Sequence, residues 1–140
     1  MRTLLCVVTV GLLAACASIQ RIDYSPNPSR VEDPRQEIAT LIKANVTSGC
    51  IAEPHFEQML LQVKYVCPGG FGNTVSRLDK ITSVHLEQYK EWYRVVVRHS
   101  AGEDFHWTSK TLEDMQRMAD AFTALQQPTA PAPEKNPVTL

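Results

Sequence analysis

Nowhere in its 140 residues does the chain hold the roughly 20 consecutive apolar residues that a membrane-crossing helix requires. It also lacks charge of one sign. Its 14 Lys+Arg and 15 Asp+Glu are scattered, and without a clustered basic stripe there is no footprint for nucleic-acid phosphates. No Gly-x-Ser-x-Gly elbow occurs, and Ser83, Ser100 and Ser109 stand outside any nucleophile motif. Glycine is scarce, and its one cluster, around Phe71, lacks the Lys-Ser/Thr ending of a phosphate loop. The carboxylates Glu53, Glu57, Asp79 and Glu87 are spread along the chain, with no spacing that pairs any two. His55, His85, His99 and His106 share no ligand spacing. Strand alternation places His85 and His106 on an outer, wetter sheet face, where two such histidines could meet a metal or simply be surface. Together these absences predict a protein without catalytic centre, metal or bound cofactor.

What is present begins at the N-terminus. Arg2 supplies one positive charge, Leu4 to Leu13 is almost wholly apolar, and Leu13-Ala14-Ala15 leads directly into Cys16. A cationic start, a short apolar stretch and a small-residue site make a secretory signal. The sequence Leu13-Ala14-Ala15-Cys16 resembles the lipobox of bacterial lipoproteins, which are cut before the cysteine by a type II signal peptidase. The resemblance implies that residues 1–15 are a signal peptide. It also implies that Cys16 carries a diacylglycerol and an N-acyl chain as membrane anchor. Ala17 and Ser18, with no Asp after the cysteine, imply the outer membrane, facing the periplasm.

Cys6 would leave with the signal and Cys16 would carry lipid. Cys50 and Cys67 remain as an even pair in an oxidising compartment, and a disulfide is the leading expectation. The alternatives are a thiolate metal site with His55, for which the local sequence offers no fourth ligand, and a free thiol.

Residues 16–32 are polar and contain Pro26 and Pro28, as expected of a flexible tether. Residues 127–140 contain Pro128, Pro131, Pro133 and Pro137, which forbid helix and predict a disordered tail. A single globular domain is expected between them, over 33–126. Asp33, Pro34 and Gln36 mark a helix start, and Ile38, Leu41, Ile42 and Val46 form its apolar face. Strands are expected over Phe56 to Cys67, Thr74 to Leu78, Ile81 to Tyr89, Trp92 to His99 and Asp104 to Ser109. Pro68 to Asn73 reads as a loop. A three-residue connection at Ser100-Ala101-Gly102 would set Val97 opposite Phe105, Val95 opposite Trp107 and Arg98 opposite Asp104. A second helix, capped by Thr111 with Asp114, carries Leu112, Met115, Met118, Ala119, Phe122 and Leu125 on one face. Asp120 falls on the polar side.

The pattern predicts an α+β fold: an N-terminal helix, an antiparallel sheet of four to five strands, and a C-terminal amphipathic helix packed on it. From Leu60 to Leu125 the element order resembles pleckstrin-homology-like domains, though with too few strands and an added leading helix. Trp92 and Arg94 share a strand face as a candidate interface, since exposed Trp beside Arg is typical of binding anchors. The expected function is a noncatalytic, lipid-anchored envelope protein. Its partners would be the membrane, through the anchor, and another envelope protein, with no nucleic acid. The alternatives are a small hydrophobic ligand or lipid held between sheet and C-terminal helix and, third, an enzyme.

Overall fold

A computed structural model describes residues 18–126. The signal, Cys16 and the proline-rich tail lie outside the described residues. The domain is α+β, with two α-helices and seven strands in two antiparallel sheets. In chain order the elements are β1 (Gln20–Ile22), α1 (Pro34–Ala44), β2 (Ile51–Glu57), β3 (Leu60–Cys67), β4 (Gly70–Arg77), β5 (Ile81–Tyr89), β6 (Trp92–His99), β7 (Phe105–Ser109) and α2 (Leu112–Gln126). One sheet has the order β1-β5-β6-β7 and the other β2-β3-β4.

Seven strands therefore stand where four to five were expected. Phe56 to Cys67 divides at Gln58-Met59, so that Glu57 pairs with Leu60 and β2 runs back to Ile51. Gln58 takes a positive φ of 50° to make that turn. The glycine stretch is mostly strand: only Pro68-Gly69 turns, Cys67 pairs with Gly70, and β4 begins there. Gly72 is required by close approach. A Cβ there would lie 2.1 Å from the Tyr65 ring, which covers it from the neighbouring strand. The β6–β7 register agrees with expectation: Val97 opposes Phe105, Val95 opposes Trp107, and Arg98 and Asp104 approach to 3.9 Å. Gly102 has a φ of 90° in that connection.

The expected tether is the main correction. Gln20, Arg21 and Ile22 pair with Gln88, Glu87 and Leu86, so the chain joins the sheet four residues after Cys16. Asp120 locks the segment further. Its Oδ1 accepts from the Tyr24 hydroxyl at 2.8 Å and from the Asn27 amide at 2.6 Å. Asp120 is buried, not solvated as its place beside the polar helix face suggested. Burial and the adjacent Asp120 carboxylate both push the Tyr24 hydroxyl pKa above its ordinary value.

The core lies between the sheets and helices. Ile38, Leu41 and Ile42 of α1 pack against α2 and β2, in one core with Leu61 and Val63 of β3. Met115, Met118, Ala119 and Phe122 of α2 meet Leu86, Val95, Val97 and Phe105. Asp33 caps α1 by accepting from the Gln36 amide at 3.1 Å, with Pro34 at the first helical position. At the other end Asn45 donates to Leu41 O and Asp114 Oδ2, each at 3.0 Å, and accepts from Ser109 Oγ. Asn45 thus joins α1, β7 and the first turn of α2. Asp114 points to it rather than completing a capping box with Thr111.

Candidate functional site

Alternation decides what each sheet leaves outside. In β2-β3-β4, Ala52, Phe56, Leu61 and Val63 turn inward, so the intervening residues face water. On that face Ile51 pairs with Val66 and Val66 with Phe71. The result is an apolar row crossing all three strands, with the side chains 66%, 59% and 89% exposed. The next rung is polar: Glu53, Lys64 and Asn73. Val75 continues the apolar character further along β4.

Cys50 and Cys67 form a disulfide immediately beside that row, which consumes the two thiols that a metal site with His55 would have needed. The bridge, one residue beyond the Ile51–Val66 rung on each strand, pins the end of the sheet that carries the exposed apolar side chains. A cleft of about 270 Å³ opens on its other side, lined by Val46, Tyr65, the disulfide and Trp107. The Trp107 indole N–H is buried there without an acceptor.

The outer face of β5-β6-β7 is polar. Glu87 accepts from Arg94 through Nε at 3.0 Å and through a second, shorter bond from the other guanidinium nitrogen. His85 Nε2 meets the other Glu87 oxygen at 3.0 Å. His85 is 6% exposed, so only its direction, away from the α2 side, agrees with the expected wet surface position. The two histidines do not meet: Val96 lies between them, with His85 on one side in register and His106 on the other. Among the described residues no three His, Cys, Asp or Glu side chains are grouped to hold a metal. His99 bridges the sheets instead, 2.9 Å from Ser76 Oγ and 3.0 Å from Glu103 O.

Burial alone would raise the Glu87 carboxyl, but hydrogen bonds and charge from Arg94 and His85 outweigh it and hold the pKa below its ordinary value. His106 is shifted down, first by partial burial and then by the Arg94 charge. Glu87 therefore contributes stability that is complete above an unfolded pKa of about 4.3 and is lost as pH falls through its lower folded value. His106 acts from higher pH. Below an unfolded pKa of about 6.5 the unfolded chain takes up its proton first, which also weakens the fold. Melting temperature should accordingly fall in two stages on acidification, and Glu87→Gln should remove the lower one. An unchanged acid limb in that variant would show that the Glu87 bonds do not couple to folding.

Trp92 and Arg94 do share one face, at the edge of a cleft of about 330 Å³ completed by Ile19, Glu87, Tyr89 and Thr108. Arg94 is turned onto Glu87, whereas Trp92 remains 38% exposed, with Lys110 Nζ 5.0 Å from its ring centroid. The sheet–α2 interface, considered as a ligand pocket from the sequence, is filled by Met115, Met118 and Phe122, all fully buried. The apolar row is not visible in the sequence while Phe71 reads as a loop residue; the available signal is Pro68-Gly69, a two-residue turn directly after an expected strand.

Comparison with protein-family models, curated proteins and solved structures gives no match.

Proposed function

We propose that the protein is a noncatalytic, lipid-anchored envelope protein whose domain holds a protein partner on the outer face of β2-β3-β4. The observation that carries this reading is the exposed row Ile51–Val66–Phe71, in register across three strands. Contiguous exposed apolar surface is what interfaces use. A flanking rung of both charge signs, Glu53 and Lys64, supplies the polar rim of a protein contact. The disulfide beside the row holds its strands together, so little ordering cost remains on binding. The outer membrane, facing the periplasm, is the location that the residues around Cys16 favour.

A photo-crosslinker at position 71, in envelopes of cells making the full chain, tests this. One protein captured at 71 and absent when the crosslinker stands at Glu113 supports the reading. Phe71→Ser, on a solvated strand position, should weaken capture by a crosslinker at the neighbouring outer-face position 73 roughly tenfold or more, as removal of a central aromatic anchor does, with melting unchanged. No specific product from 71, or equal capture from 73 with and without Phe71→Ser, would sink it.

A further inference from the structure

Ile19 stands three positions after Cys16, and extended chain covers about 3.5 Å per residue, so Ile19 lies within roughly 11 Å of the proposed lipid. Ile19 does not hang free of the domain. Arg21, two residues on, is in register with Glu87, and Ile19 lines the cleft with Tyr89 and Trp92. A lipid on Cys16 would thus bring one particular end of the domain to the bilayer: the β5–β6 turn, Tyr89-Lys90-Glu91-Trp92.

That end has the composition of an interfacial anchor. Ile19, Tyr89 and Trp92 are 53%, 42% and 38% exposed. Lys90 Nζ stands 5.4 Å from the Tyr89 ring and Lys110 Nζ 5.0 Å from the Trp92 ring. Each aromatic therefore presents an apolar body with an ammonium beside it, the pairing that suits the boundary between acyl chains and headgroups. Arg94 is neutralised by Glu87 and Lys110 lies 3.8 Å from Glu91. Lys90 and the exposed Arg21 remain to meet anionic headgroups. The outer face of β2-β3-β4 balances Glu53 and Glu57 against Lys64 and Arg77, and without a net positive charge is the poorer match to an anionic surface.

We infer that the β5–β6 turn, with Ile19, seats in the headgroup layer of the membrane that holds the lipid anchor, fixing how the domain stands on the bilayer. The inference rests on acylation of Cys16, and its occupant is lipid rather than protein.

The test uses the acylated full chain in vesicles of mixed zwitterionic and anionic phospholipid whose acyl chains are brominated. The chain has two tryptophans, so the difference between wild type and Trp92→Phe isolates the Trp92 emission without disturbing the core. Bromine should reduce that emission by about twofold or more relative to unbrominated vesicles, as expected for a ring at the interface. The residual Trp107 emission should hardly change. Lys90→Glu should diminish the quenching. Mass spectrometry of the same sample separates the possible failures. An acylated chain with unquenched Trp92 overturns the seating alone, whereas an unmodified Cys16 overturns the reading beneath it and the seating together. Stronger quenching of a Phe71→Trp probe, placed in the Trp92→Phe chain, would assign the bilayer to the other sheet. A photo-crosslinker at position 92 that labels a protein instead of lipid would overturn the proposal too.

Discussion

Cys16→Ser should move the chain from the membrane fraction to the soluble one and remove the acyl mass from the mature protein. Among the described residues no helix is long and apolar enough to cross a bilayer. The β5–β6 turn together with Ile19 offers three partly exposed large side chains, which is an orienting contact rather than an anchor. A single acyl chain binds membranes only marginally, near 10⁴ M⁻¹ by about 0.8 kcal/mol per buried CH₂, while two or more hold stably. The expected change is therefore nearly complete. Unchanged fractionation together with an unchanged mass would refute the lipobox reading. Loss of the acyl mass with retention on the membrane would show that another contact suffices to hold the domain there.

Cys50→Ala should produce the largest loss of folding stability. The bridge closes a loop between cysteines 17 residues apart, and loop-closure entropy for that length corresponds to about 3 kcal/mol. In a domain of this size that is a drop of roughly 10–20 °C in melting temperature. The same drop should follow when wild type is reduced, and reductant should then have no further effect on the variant. Because the bridge adjoins the Ile51–Val66 rung, hydrogen-exchange protection should fall first at the disulfide end of β2 and β3. Equal melting of variant and wild type, with two titratable thiols in the native chain, would contradict it.

What the sequence disclosed follows from how one-sided each element is. β5 and β7 were legible because apolar residues recur at alternate positions, and β6 because Tyr93, Val95 and Val97 share a face although Val96 is buried on the other; the β6–β7 register followed from matching the inward residues. α1 and α2 were legible from helical spacing and, for α1, from Asp33-Pro34. β2 was hidden because its inward residues, Ala52, Pro54 and Phe56, include two that propensity assigns to no strand; Pro54 is tolerated because β2 is an edge. The first half of β4 was hidden by its glycines, one of which admits the Tyr65 ring, while its second half, from Thr74, was expected as a strand. β1 has three residues and becomes a strand only through β5, more than sixty positions away. The same distance concealed part of the site. Asp120 reads as surface until Tyr24, 96 residues earlier, folds onto it, and Glu87 reads as scattered until β6 brings Arg94 opposite. Cysteine pairing needed less, because compartment and parity left few partners.

The docked N-terminal segment also defines a load path. A pull between the proposed lipid and the proposed partner on β2-β3-β4 would enter the domain where the chain joins the sheet, at Gln20. It then passes along β1 into β5, and through Tyr24 and Asn27 into α2 by way of Asp120. Three residue pairs between β1 and β5 and one carboxylate carry that tension, so they form the joint's mechanical fuse. Under force the segment from Gln20 to Asn27 should peel away as slack before the disulfide-pinned sheet yields, lengthening the connection while the proposed partner face stays intact.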